Sequence, residues 1–155
     1  MLLKRFAQPR VSWLGRLPQS HDFVDAALHP EAQTQAGLLI ARPEAPLFFG
    51  NVEPVLAAIG SRVQAGRSAG VQTLVLSLEE SSDLDGSSLE ALASFAVQMQ
   101  AWGVVLRLAR CKDGVRALLQ RADLAGLPPQ AYAAWSVADA VEGQAVQAVA
   151  GSAMA

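Results

Sequence analysis

Between Val71 and Ala109 the chain runs from a buried-type segment through an amphipathic one to a second buried-type segment, and this order restricts the fold more than any other feature. Val71-Gln-Thr-Leu-Val-Leu-Ser-Leu78 is dense in leucine and β-branched residues, as a central strand requires. Leu89, Leu92, Phe95, Ala96 and Met99 recur at helical spacing, which predicts one apolar face on a helix from about Ser87 to Trp102. Gly103 ends that helix and Val104-Val-Leu-Arg-Leu-Ala109 reads as the next strand. Two buried strands joined through a helix of this length pair in parallel, with a right-handed crossover.

The same unit precedes it. Gly37 to Arg42 is a short apolar run between Gly and Pro, hence a strand. Asn51 is suited to cap a helix whose apolar positions Val52, Val55, Leu56, Ile59 and Val63 lie on one face and which ends near Gly66. Between them, Pro43 to Pro46 reads as a turn and Leu47-Phe-Phe49 as a second short strand, paired with the first in a hairpin. Val11 to Leu17 forms an extended segment stopped by Pro18, and Gln19 to Gln35 reads as loop with at most a turn of helix. A third helix spans Asp113 to Ala122, turning Val115, Leu118 and Leu119 inward, and a last one opens at Ser136 with Asp139 in a capping-box pattern. The fold class expected is therefore α/β: a mixed, mostly parallel sheet of about five strands with about four helices packed mainly on one side. Residues 1–10 read as a linker, 11–150 as a single domain and 151–155 as a frayed tail.

Composition narrows the function. With 155 residues, 52% hydrophobic and 17% charged, the chain fits one packed core. A net charge of −2 without a Lys/Arg cluster argues against sequence-independent nucleic-acid binding. The single Cys111 has no disulfide partner within the chain, and it reads as an inert buried thiol. His21 and His29 flank no metal-ligand pattern, so no metal, cofactor or Cys/His nucleophile is expected. The N-terminus is too short and charged for a secretory leader, and no stretch approaches the roughly 18 apolar residues of a membrane helix. Direct membrane insertion is not expected.

Leu74 to Leu92, with Leu84-Asp-Gly-Ser-Ser-Leu89 as its loop, resembles the signature of the STAS family, where a buried strand precedes a loop that opens the next helix. Leu14-Gly-Arg-Leu-Pro18, His29-Pro-Glu-Ala32, Gly37 to Pro43, Phe48-Phe-Gly-Asn51, Gly103 to Arg110 and Val115 to Leu119 are similar, in order, to blocks of the STAS domains that follow the membrane part of SulP permeases. Ser77 stands where many relatives carry Asp, and Gly86 and Ser88 depart from the commoner residues around Ser87. The resemblance implies the STAS fold and a cytoplasmic regulatory domain at the inner face of the cell membrane. Its implied partners are the transmembrane domain of a permease for sulfate or a related anion, or a cytosolic regulatory protein. It also implies two alternatives: a free-standing phosphoswitch of the anti-sigma-factor-antagonist type, and a nucleotide-binding domain. No P-loop or GxGxxG accompanies the last of these.

The candidate site is the loop Asp83, Leu84, Asp85, Gly86, Ser87 and Ser88, with the first turns of the helix it opens as a docking surface. Ser87 corresponds to the phosphorylated residue of the anti-sigma-factor antagonists, and a helix start favours an added phosphate. The plainer reading makes Ser87 a helix cap in a box with Glu90. Asp83 and Asp85 read as braces for loop amides rather than as an acid/base pair, so no catalytic residue is assigned. Asn51 doubles as helix cap and candidate anion or ligand contact. Trp13, Trp102 and Trp135 belong to core or rim, and an exposed one marks a docking surface.

Overall fold

The computed structural model describes residues 9–143. Five strands are β1 (Val11–Arg16), β2 (Phe23–Asp25), β3 (Leu38–Pro43), β4 (Thr73–Ser77) and β5 (Val105–Ala109). They form one sheet in the order β2-β1-β3-β4-β5. β1 runs antiparallel to both of its neighbours, with Leu14 opposite Asp25 and Trp13 opposite Ala41. The β3, β4 and β5 strands are parallel, in a register that aligns Ile40, Val75 and Arg107. The helices are α1 (Val52–Arg67), α2 (Gly86–Ala101) and α3 (Asp113–Ala122), followed by a 3-10 turn at Pro129–Tyr132 and a helical segment α4 over 137–143.

The period of the strands sorts the core into two layers. Leu74, Leu76, Leu106 and Leu108 face a cluster containing Val55, Ile59 and Val63 of α1, Leu92, Phe95 and Met99 of α2, and Val115 and Leu119 of α3. The alternate residues Leu38, Ile40, Val75 and Ala109, with Leu14 of β1, face Val137, Ala140 and Val141 of α4. Three helices thus cover one face and α4 the other. All five residues of β4 are buried, as its apolar run requires of a strand with a layer on each side. The loop after α3 crosses α2 so closely that a Cβ on Gly126 would lie 2.8 Å from the Cβ of Ala96.

The strand-helix-strand core matches the expected elements, and α3 keeps its expected bounds. Two segments differ. Phe23 to Asp25 is not loop but the edge strand β2, because Phe23 reaches the second apolar cluster while the guanidinium of Arg16 covers its ring at 4.9 Å. Leu47 to Phe49 is not a strand: Asn51 draws the amide of Phe48 and the carbonyl of Pro46 into a turn, leaving no ladder to form. Instead of that hairpin, β3 lies between β1 and β4. The linker of 1–10, apart from Pro9 and Arg10, and the tail of 151–155 lie outside the described residues.

Candidate docking and regulatory site

The site grows from the end of β4. Leu78 carries the strand one bond further by donating to the Ala109 carbonyl, and the Ser81 amide turns back to the Leu78 carbonyl. The buried Ser81 hydroxyl accepts from the amide of Leu47 at 3.0 Å, joining this turn to the loop before α1. Asp83 accepts from the amide of Leu84 at 2.8 Å, and the Leu84 side chain sinks into the core.

Asp85 is the hub. One carboxylate oxygen accepts from the Ser88 amide at 2.8 Å and caps α2; the other accepts from the Phe49 amide at 2.8 Å. Hydrogen bonding at Ser88, whose amide meets the carboxylate, and then the Phe49 amide hold the Asp85 carboxyl below its ordinary value. The cap is therefore Asp85, not Ser87: α2 begins at Gly86, and a charged carboxylate is a stronger acceptor than a hydroxyl. Ser87 stands as the second helical residue, exposed, while Ser88 is fully buried. The loop thus offers Asp83, Asp85, Gly86 and Ser87 to the surface and withholds Leu84 and Ser88. Both aspartates brace amides, as the sequence suggested.

Asn51 likewise does not cap α1 through its side chain. Its Oδ1 accepts from the Phe48 amide at 2.9 Å and its Nδ2 donates to the Pro46 carbonyl at 2.8 Å. The same turn presents the Phe49 amide to Asp85. The product is an aromatic pair: Phe48 and Phe49 meet edge to face with centroids 5.5 Å apart, yet are 46% and 74% exposed. A Cβ on Gly50 would lie 2.5 Å from the Phe48 ring, so only glycine admits this arrangement. Sequence reasoning read these rings as part of a strand. The turn-forming Gly50-Asn51 that follows them was the available signal.

Sequence reasoning also missed an ionic bridge across the strand ends. Glu79 accepts from Arg42 at the end of β3, at 3.2 Å, and lies 3.7 Å from Arg110 just past β5; Arg42 pairs further with Glu44 at 2.8 Å. The residues are far apart in sequence, and only the parallel order of the strands gathers them. His29 pairs with Glu31 at 3.3 Å and His21 lies 4.0 Å from Glu142, neither at the Ser87 loop. Cys111 is buried, and burial raises its thiol to about 11. Among the described residues no group of three or more His, Cys, Asp or Glu is placed to hold a metal ion, and no helix is long and apolar enough to cross a membrane.

Fold and site together define an α/β domain with an exposed helix start and an exposed aromatic turn tied to it. The STAS domain family profile matches residues 29–138, well over half of the chain, and the chain belongs to that family. It is 32% identical over 123 residues to the probable sulfate transporter Rv1739c of Mycobacterium tuberculosis, a match covering 79% of this chain and 22% of that protein. The chain therefore spans about a fifth of the length of the curated relatives it matches. Among solved structures it superposes on the murine Slc26a9 anion transporter in the inward-facing state with TM-score 0.75 and 23% identity, covering 90% of this chain and 23% of that one. A sulfate transporter family protein from Wolinella succinogenes matches with TM-score 0.62 and 17% identity over 79% of this chain and 97% of that one. These superpositions share the fold.

Proposed function

We propose that this domain is the regulatory, docking part of a SulP-type permease for sulfate or a related small anion. It acts at the cytoplasmic face of the membrane, and its partner is the membrane-spanning part of the permease. The single observation that carries the reading is the Asp85 latch, which fixes two exposed phenylalanines beside the exposed start of α2. Exposed aromatics held rigid are the usual anchors of a protein interface. The similarity to a probable sulfate transporter supports the choice of partner.

The domain supplies a surface and no reaction. Charge controls it: a phosphate on Ser87 would stand next to Asp83 and Asp85 and compete with the Asp85 carboxylate for the first amides of α2. That would loosen the hold on Phe49. The free-standing phosphoswitch uses the same feature, since Ser87 is exposed at the second position of a helix.

The test is capture of the membrane part of the permease, reconstituted in nanodiscs, on immobilised domain. Wild type and Ser87→Ala bind it, whereas Phe49→Ser and Ser87→Glu lose about tenfold or more in affinity. Equal binding by all four proteins, or by none, would remove the docking reading. Capture of a soluble kinase instead would favour the free-standing switch.

A further inference from the structure

Both α1 and α2 are crossovers between parallel strands, so they lie side by side and run in the same direction. Between them is a groove of about 390 Å³, floored by Leu56, Phe95 and Met99 and walled by Ala57, Gly60 and Ala91. A Cβ on Gly60 would lie 3.8 Å from the Phe95 ring, an ordinary contact, so the packing of α1 on α2 does not require glycine there. Glycine weakens a helix interior, and what it leaves here is open space along the groove.

The spacing along both walls is that of a helix bundle. On α1, Glu53, Ala57, Gly60, Gln64 and Arg67 fall at intervals of four, three, four and three. On α2, Ala91, Phe95, Gln98 and Trp102 fall at four, three and four. Stripes of this period form the holes that take the side chains of a further helix, at a crossing angle of about 20°. The stripe from Glu53 to Arg67 is about 21 Å long at 1.5 Å per residue, the length of a helix of about 14 residues.

Charge fixes the direction of that helix. The acids within α1 and α2, Glu53 and Glu90, lie near the helix starts, and the bases, Arg62 and Arg67, lie in the second half of α1. None of the four forms an ion pair among the described residues. Arg67 lies over Trp102 at the far end of the groove, 5.3 Å from the centre of its ring. A helix antiparallel to α1 and α2 opposes its dipole to theirs, and acids in its first turn and bases in its last are where each is stabilising. Those acids meet Arg67 and those bases meet Glu53. The Glu53 end adjoins the aromatic turn, which Asp85 ties to the start of α2, so the groove continues the docking surface.

We propose that this groove seats an amphipathic α-helix of about 14 residues, antiparallel to α1 and α2, with acids in its first turn and bases in its last. The inference rests on the docking reading for the owner of that helix, the membrane-spanning part of the permease, in a segment outside the bilayer.

The probe is a peptide of about 16 residues with leucine at heptad positions, glutamates in its first turn and lysines in its last, held helical by a lactam bridge on its outer face. Titrated into the intact chain and followed by the amide resonances of Ser61 and Ser94, it saturates. Gly60→Leu, which fills the groove and favours the helix, weakens binding about tenfold. Glu53→Lys, at an exposed position, weakens it about threefold, and circular dichroism shows both variants folded. A peptide with its charged ends exchanged binds about fivefold more weakly. The proposal is overturned if the peptide shows no saturation at about 1 mM, if Gly60→Leu binds it like wild type, or if exchanging the ends changes nothing. Capture of the membrane part in nanodiscs separates this inference from the docking reading. Gly60→Leu loses capture about tenfold, as Phe49→Ser does. Capture by Gly60→Leu as by wild type, with Phe49→Ser still defective, overturns the groove and leaves the docking reading standing. Peptide binding without capture by wild type removes the docking reading and the owner named here, and upholds the groove as a helix site.

Discussion

Asp85 shows how one carboxylate organises a surface. It closes the first turn of α2 and fixes the amide of a phenylalanine 36 residues away in sequence. Asp85→Ala is expected to lower the melting temperature by several degrees, whereas Ser87→Ala leaves it unchanged; the reverse order would restore Ser87 as the cap. Because the folded-state value of Asp85 is depressed, its contribution is complete above the ordinary carboxylate range and fades as pH falls through the lower folded value. Asp85→Asn therefore loses less stability than wild type on acidification below about pH 4, measurable by thermal melts across that range. At this scale the sequence was legible in kind and not in detail. Asp85, Ser87 and Asn51 are all cap formers, and choosing among them depends on where the Phe49 amide lies. That is a tertiary fact. Ser136 was readable because its partner, the Asp139 amide at 3.0 Å, is local.

Elements were legible where their apolar period is long. The faces expected for α1 and α2 are the buried ones, Val52 to Val63 and Leu92 to Met99. Three-residue β2 has no period to detect, and the apolar run at Leu47 mimics a strand although only Leu47 itself is buried in the core. The loop after α3 was silent in sequence, yet it seats Leu127 and Tyr132 in the main core. Its approach to α2 is testable. Gly126→Ala places a methyl against Ala96 and costs about 1–3 kcal/mol of stability, read by urea unfolding. Unchanged stability would mean that this loop moves aside freely.

At the scale of the molecule, the two apolar layers meet only through the sheet, and β4 is the strand buried throughout on both faces. Native-state hydrogen exchange should find its slowest amides in β4 and the flanking parts of β3 and β5, and its fastest strand amides in β2, at the edge. Equal protection in β2 and β4 would mean that opening is global and that the layers do not separate in stability. Family membership was legible in the sequence because the order of blocks follows this topology. The ionic bridge of Arg42, Glu79 and Arg110 was not, since it exists only once three strand ends stand side by side.

The strand order has a consequence for how the chain is made. Each of the four pairings joins strands at most two apart along the sequence, and from β3 onward every new strand is added to the same advancing edge. A polypeptide emerging from the ribosome can therefore pair each strand with the sheet before the next is synthesised, while the second apolar layer waits for Val137, Ala140 and Val141 of α4. Translation paused after β4 would leave that strand as a bare rim, sealed only when Leu106 and Leu108 are delivered.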